Sequence, residues 1–503
     1  MSRETLCAQQ GLLGLNEDVL LEIVSHLDAA SANNLSATAR GIHPIAQRQA
    51  LSNLEINVMD NLHGYEMITE MCTYMLDDIP GRLHCVKSLK IRVRIIEECH
   101  PSGTGPYDKI TMPARRKLAQ FLENAIQLQS LKLYPFGNLI TLEPRLKSAI
   151  HALPNLRCLN ISDLLDLSPC VQEFLLTMRH QLQKLRVADL WTDMTEYRVL
   201  PALRNMKMTD LDLDLSQDFA CRRSSNTLNG PHHPYFFPDV RKLSLSLPDE
   251  NISMSTLVRA FPNIRALRIH RCGSFTSTEA ACWESLDSVE GPVGFFEQWS
   301  PTCHIPHVSI SSRLAKPHFD TPSSATTHEL KPTLCLIRKA SPVALTLLIM
   351  ADPGLTDSFW IPLTKCTPRL RSLEIHLYTF PEGDVMPRLF ACKNVISAAL
   401  GLMPTVMHLR LSVVYSWRRI GTEIDQIQPE EWALQLLEQA PSVRCVSLSF
   451  TSCRRYFPHD TKTTAWKVVG ARTCRKLERI TEALEEDVQR RIIAPDFDPR
   501  TSL

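Results

Sequence analysis

Glycine is scarce, at 17 of 503 residues. A phosphate-cradling loop needs several glycines close together, and neither a Walker loop nor a dinucleotide fingerprint occurs. Gly-x-Ser-x-Gly and His-Glu-x-x-His are absent as well, so no hydrolase elbow and no helical zinc site is legible. The 16 cysteines include no Cys-x-x-Cys pair, which removes the zinc ribbon and the thioredoxin-type motif. The longest apolar runs, near Val343–Met350 and Val395–Met403, fall well short of the ~18 residues that span a bilayer. Excess charge is missing too: 55 Lys and Arg face 54 Asp and Glu. That balance gives no generic electrostatic reason to bind nucleic acid or an anionic membrane. Residues 1–14 hold Arg3 and Glu4 and no long apolar core, unlike a secretory signal. The expectation is an intracellular protein of cytoplasm and/or nucleus with reduced thiols, no cofactor and no catalytic machinery.

Proline is plentiful at 33 residues, as in a chain of many short elements broken by turns. From about residue 85 one phrase recurs: apolar, two variable residues, Leu, one variable residue, apolar. Copies include VKSLKI (86–91), LQSLKL (128–133), LRCLNI (156–161), LQKLRV (182–187), MTDLDL (208–213), VRKLSL (240–245), IRALRI (264–269), LRSLEI (370–375), VMHLRL (406–411) and VRCVSL (443–448). Alternation inside the phrase is that of a strand with one buried face. Helical spacing fills intervals such as Arg115–Ile126, Val171–Arg179 and Glu430–Gln439. Strand, turn and helix in repetition predict a parallel solenoid. Its copies lie roughly 24 to 42 residues apart, against a usual 20 to 29 for leucine-rich repeats, and the asparagine that normally follows the strand is mostly missing.

The predicted class is therefore α/β: a small N-terminal helical module, then an irregular leucine-rich-repeat-like solenoid with a parallel inner sheet and outer helices. The expected boundaries are 1–60 for the module, 61–84 for a helical linker, 85–493 for the array and 494–503 for a tail. Two stretches, 217–238 and 291–333, are poor in periodicity and rich in Pro, Ser, Thr or His, and are expected as loop insertions or a domain junction. A last helix over about Thr473–Ile493 is expected to cap the open end of the array.

Residues 15–27 read LNEDVLLEIVSHL, with Leu15, Val19, Leu20, Ile23, Val24 and Leu27 on a helical period. Asn16 can cap the first turn, and Glu17 and Asp18 suit the positive end of the helix dipole. Short helices follow near Ser31 and over about Pro44–Asn57. The segment LNEDVLLEIVSHLDAASANNLSATAR resembles the F-box, whose usual opening is Leu-Pro-x-Glu-(Ile/Val)-Leu-x-x-Ile-x-x-x-Leu. Leu15, Asp18 (in place of Glu), Val19, Leu20, Ile23 and Leu27 match in register, and Leu35 and Arg40 match the later half. Asn16 stands where the family has proline.

The resemblance implies a substrate-receptor role. F-box helices dock on a Skp-type adaptor, which joins a cullin scaffold and its RING subunit; the array then recruits a protein substrate for ubiquitin transfer, and the receptor itself is no enzyme. Carried over by register, Leu15, Val19, Leu20, Ile23, Val24, Leu27 and Leu35 are adaptor-facing or module-core positions, which sequence does not sort. The alternative is a solenoid scaffold outside any ligase, with the N-terminal helices as a cap.

Residues between the strand leucines line the sheet face turned away from the helices. Lys90, Arg92, Lys132, Asn160, Arg186, Asp212, Asp214, Arg268, His270, Glu374, His376 and Arg410 fall there. Their mixed signs favour a protein surface as ligand. Asp210, Asp212 and Asp214 alternate as the solvent side of a strand would, and Cys303, His304, His307, His318 and His328 match no zinc template, so no metal site is expected.

Overall fold

Alternate leucines bury one face of each phrase, and in a computed structural model these phrases are strands that pair side by side. The structure describes residues 14–58, 61–93, 108–164, 169–178, 182–190, 203, 206–214, 236–247, 252–272, 275–276, 282–299, 301, 303–314, 326–350, 357–379, 385–416, 427–454, 457–470 and 475–498. The chain divides into two units, Met1–Thr227 with Tyr235–Val240, and Leu228–Pro234 with Arg241–Leu503. The boundaries between them fall between residues 227 and 241.

The first unit opens with helices α1 (Glu17–Ser25), α2 (Ala29–Ser36) and α3 (His43–Ala50). Strands β1 (Asn53–Val58), β2 (Ser88–Val93), β3 (Ser130–Tyr134), β4 (Cys158–Leu164), β5 (Lys184–Leu190) and β6 (Asp210–Asp214) follow, paired in that order and all parallel. Helices α4 (Asn61–Leu76), α5 (Asp108–Asn124), α6 (Phe136–Leu142), α7 (Pro144–Ala152) and α8 (Pro169–Thr177) alternate with them. Leu89, Ile91, Leu131, Leu133, Leu159, Ile161, Leu185, Val187, Leu211 and Leu213 are all buried. Between sheet and helices, Phe136 and Phe174 meet with ring centroids 5.0 Å apart, and the His151 ring stacks on Phe174 at 4.8 Å.

The backbone repeats as regularly as the side chains. One carbonyl ahead of each strand accepts two amides from the next repeat: Ser52 from Lys87 and Ser88, Lys87 from Gln129 and Ser130, Gln129 from Arg157 and Cys158, Arg157 from Gln183 and Lys184, all at 2.8–3.0 Å. This pairing satisfies the amides that lead into each strand.

In the second unit β7 (Lys242–Leu247), β9 (Ala266–Cys272), β11 (Ser288–Gly291), β12 (His307–Leu314), β13 (Ala344–Met350), β14 (Ser372–Tyr378), β15 (His408–Ser416) and β16 (Cys445–Arg454) are parallel neighbours in that order. Two short strands, β8 (Ile252–Ser253) and β10 (Phe275–Thr276), pair separately. Strands β17 (Phe457–Val469) and β18 (Lys476–Ile480) then add in antiparallel fashion. The helices are α9 (Met254–Ala260), α10 (Val293–Gln298), α11 (Thr326–Ala340), α12 (Asp357–Cys366), α13 (Val385–Gly401), α14 (Pro429–Glu438) and α15 (Glu482–Ile493). The same carbonyl device recurs at Val343, Arg371 and Met407, at 2.7–3.1 Å.

Four expectations need correction. The array begins at β1, not near residue 85: Leu51, Leu54 and Ile56 carry the recurring phrase, so the third helix stops at Ala50 and 53–58 is strand. Residues 61–84 are then no linker, since α4 packs on α5 and β1 as the first helix of the array. The stretch 291–333 is no loop insertion; it contributes the end of β11, all of α10 and β12, and part of α11, with Phe295, Phe296, Trp299, Val308 and Ile310 buried. Within 473–493, Lys476–Ile480 is a strand and Glu482–Ile493 a helix, and that helix lies on the sheet rather than across its end.

The last point follows from burial on both sides of β14–β16. Leu373, Ile375, Leu409, Leu411, Val446 and Leu448 are buried under the outer helices, yet Ser372, His408 and Cys445 on the opposite face are buried as well. Their cover is α15, whose Val488 and Ile492 form a cluster with Met407 and Cys445, joined by Ile480 and Phe497. The tail is tied in here: Arg371 Nη1 donates to the carbonyls of Ile492 (3.3 Å) and Ala494 (3.2 Å).

Candidate docking surfaces

The N-terminal helices carry a small core of their own. Asn16 Oδ1 accepts from the Asp18 amide at 3.4 Å and Asp28 Oδ1 from the Ser31 amide at 2.6 Å, fixing the starts of α1 and α2. That last bond holds the Asp28 carboxyl below its ordinary range. Gln49 Nε2 donates to the carbonyls of Ser25 (3.1 Å) and Leu27 (3.0 Å), strapping α3 to the end of α1. Leu20, Val24, Ile42 and Ala46 are buried together, with Leu35, Ala39 and Ile45 packed against them.

This core sorts the seven positions that sequence left unsorted. Leu20 (7% exposed) and Val24 (1%) are core, and Leu35 packs on them. Leu15, Val19 and Ile23 are 41%, 45% and 39% exposed. Spaced by four residues, the three form a single stripe along α1. Leu27 is half-buried. Leu21, which the family pattern did not single out, is exposed on the other flank of the core positions.

On the sheet face away from the helices, the charged residues meet in register. In the first unit the pairing runs Glu55, Lys90, Lys132, Asn160, Arg186, Asp212 across six strands. Lys90 Nζ donates to Glu55 Oε1 at 2.5 Å. Arg186 Nε lies 3.3 Å from Asp212 Oδ2, a charge contact whose geometry is not that of a hydrogen bond, since Arg186 Nε and Asp212 Oδ1 are both buried without a hydrogen-bond partner. Arg92 sits over the Tyr134 ring, 5.3 Å from its centroid. The side chain of Asp214 lies outside the described residues.

The second unit neutralises its face internally. Arg268 pairs with Glu290 at 2.6 Å, His270 Nε2 meets Ser244 Oγ at 3.0 Å, and Glu374 lies 3.2 Å from His376. Arg410 donates through Nε and Nη2 to Glu485 of α15 at 2.9 and 2.7 Å, and His408 Nε2 meets the same carboxylate at 3.1 Å. Arg410 is thus engaged by the chain itself and does not stand free for a substrate, as the sequence reading expected. Burial alone would raise the pKa of Glu485; the bonds from His408 and Arg410 outweigh it and bring the group down to about 2. In the sequence Glu485 is one of four neighbouring acids, with Glu482, Glu486 and Asp487. The missed signal is its position: three and seven residues before Val488 and Ile492, it falls on the buried stripe of α15.

Ser372 Oγ, His408 and Glu485 are hydrogen-bonded in a row, at 2.9 and 3.1 Å, the connectivity of a nucleophile, base and acid, but all three are buried beneath α15. Burial pushes the Cys72 and Cys445 thiols up to about 12, which keeps them protonated. Among the described residues no three His, Cys, Asp or Glu side chains gather as metal ligands, and no helix is long and apolar enough to cross a membrane. His304 is exposed on a loop, whereas His307 begins β12 with its pKa lowered by burial; His318 and the side chain of His328 lie outside the described residues.

No protein-family profile matches the chain, and no curated protein does. Among solved structures 22 chains match. One belongs to the yeast complex of Rad7 and Elc1; the match covers 82% of this chain and 93% of that one, at 14% identity and a TM-score of 0.37. With a score that low, the likeness adds nothing to what the coordinates themselves give.

Proposed function

We propose that the protein is a non-catalytic substrate receptor of a cullin-RING ubiquitin ligase, docking on a Skp-type adaptor through α1 and recruiting a protein client on its repeat array. One observation carries the reading. Leu15, Val19 and Ile23 remain exposed although the module has already completed a core from Leu20, Val24, Ile42 and Ala46. An apolar stripe that intramolecular packing leaves over is the ordinary material of a partner interface. The scaffold alternative, with these helices as a mere cap, needs the stripe to be covered by the chain's own body, and among the described residues it is not.

Covering what each of the three still exposes is worth about 1 kcal/mol at ~25 cal/mol per Å². The stripe as a whole then accounts for about two powers of ten in affinity. The test is binding of the full chain to a purified Skp-type adaptor. Substituting Val19→Asp and Ile23→Asp together is expected to weaken binding at least ~100-fold, because charges enter an apolar contact, while thermal stability is kept. Leu20 is unsuited to this test, since a charge there would break the module core. A wild-type chain that binds no adaptor, or a double variant that binds unchanged, overturns the proposal.

A further inference from the structure

Helix α15 covers the open face of β14–β16 without belonging to the core of the array. Only three of its twelve residues are buried, Glu485, Val488 and Ile492. The strands keep their own core on the opposite face, where Leu373, Ile375, Leu409, Leu411, Val446 and Leu448 are buried. The polar groups that α15 holds also have somewhere else to turn. Arg410 lies 4.0 Å from Glu374 as well as on Glu485. His408 Nδ1 meets Ser372 Oγ at 2.9 Å, on the side of the ring away from Glu485. Arg371, which donates to the carbonyls of Ile492 and Ala494, is only half-buried. If α15 lifts, the guanidinium turns to Glu374, the imidazole keeps Ser372, and water reaches the rest, so no charge is stranded in a dry site. Arg410 is thus a two-state element, paired with Glu485 when the helix is down and with Glu374 when it is up. Lifting α15 also takes Glu485 out of the Ser372–His408–Glu485 row, so the open state gains no catalytic triad.

We propose that α15 is an exchangeable occupant of this groove, and that the groove accepts from another protein an amphipathic helix of the same pattern: a carboxylate followed three and seven residues later by aliphatic side chains. Two features select that chemistry. His408 and Arg410, two residues apart on β15, offer an imidazole and a guanidinium fork that a single carboxylate answers, as Glu485 does. Met407 and Cys445 form the apolar floor that Val488 and Ile492 now cover. A helix carries positions i, i+3 and i+7 on one face, so the three contacts arrive together. A ligand without the acid breaks bonds that it does not replace, whereas such a helix restores them one for one. This face, closed to an ordinary client, therefore stays open to a helix that imitates α15. The inference does not use the receptor reading above, and no adaptor enters its test.

The experiment uses the full chain with Val488→Asp and Ile492→Asp, which expels α15 and leaves the β14–β16 side of the groove unchanged. The probe is a fluorescent peptide with the sequence of residues 482–497, and a second peptide carries glutamine at the position of Glu485. By anisotropy the probe is expected to bind the double variant at least ~20-fold tighter than the wild type, where the tethered α15 holds the site. The glutamine peptide should bind at least ~10-fold more weakly than the probe, and adding Arg410→Ala to the double variant should remove that difference. Bound probe should also restore the slow iodoacetamide labelling of Cys445 that loss of α15 makes fast. Hydrogen exchange of the β14 and β15 amides checks that the sheet stays folded, and Ile492→Ala alone repeats the comparison if the two aspartates unfold it. No binding to the folded variant, equal binding to variant and wild type, equal binding of the two peptides, or binding that leaves Cys445 fast overturns the inference and makes α15 a permanent clamp.

Discussion

Glu485→Gln removes one negative charge from a site that is fully covered. Its carboxylate is 0% exposed and receives three hydrogen bonds, one from His408 and two from Arg410. The amide that replaces it turns an N–H toward one of those donors and leaves the guanidinium only the more distant Glu374, 4.0 Å away, as counter-ion. The native carboxyl is held near 2 against an ordinary 4.5, a difference worth about 3 kcal/mol. That agrees with the 3–5 kcal/mol typical of breaking a buried pair, and it sits at the low end because the Arg410 side chain keeps 22% of its exposure and can regain some water. A folded-state pKa below the unfolded one gives stability that is present above about 4.5 and is lost as pH falls toward about 2. Hydrogen exchange of the α15 and β15 amides, corrected for intrinsic rates, reads this locally. The Gln variant should lose about two powers of ten in protection at neutral pH and show little further loss between pH 4.5 and 2, where the wild type loses most of its own. A cost below about 1 kcal/mol, or an acid dependence like that of the wild type, would refute the assignment of Glu485 as the ionised centre of the latch.

Val24→Ala should destabilise the N-terminal helices by about 1–2 kcal/mol, seen as earlier melting of α1, whereas Val19→Ala should shift stability by less than about 0.5 kcal/mol. Arg475→Ala removes the donors to the carbonyls of Leu437, Ala440 and Pro441 at the end of α14, and should raise exchange of the last α14 turn about tenfold. In the native protein at pH 8, iodoacetamide should label exposed Cys335 well before Cys72 or Cys445, by mass spectrometry of quenched samples; early labelling of Cys445 would contradict its burial beneath α15.

The repeat was legible because its signal is local. Leucine on alternate positions fixes which strand face is buried, and Leu131, Leu159, Leu185 and Leu409 lie where the phrase put them. Among the strands that no copy of the phrase covers, two show different reasons. LEINV at 54–58 follows a helix without the proline lead-in that marks several other copies, so a helical period was extended through it. His307–Leu314 sits in a Pro- and Ser-rich stretch whose composition hid its alternation of Val308 and Ile310. The placement of α15 could not be read at all from the repeat pattern. Its amphipathic stripe fits an end or a face equally well, and only the buried acid at Glu485 marks a site where Arg and His wait. For the N-terminal helices, period alone assigned apolar residues to one side. Separating Leu20 and Val24 from Leu15, Val19 and Ile23 required knowing where α3 lies.

Both units are built from the same phrase, yet the chain treats their open faces differently. In the second unit Arg268, Glu374 and Arg410 are each matched by a partner from a neighbouring strand, the same strand or α15, and His408 is buried beneath that helix. Charges satisfied in this way cost a ligand their existing bonds before they can be used, so that face around β14–β16 is a poor place to capture a client. In the first unit, Lys132 of β3 and Arg92 of β2 have no carboxylate partner among the described residues. An incoming anion there breaks no internal pair and relieves repulsion among four cations. If the protein holds a client for another component to modify, the difference between these two faces assigns the grip to β2–β5.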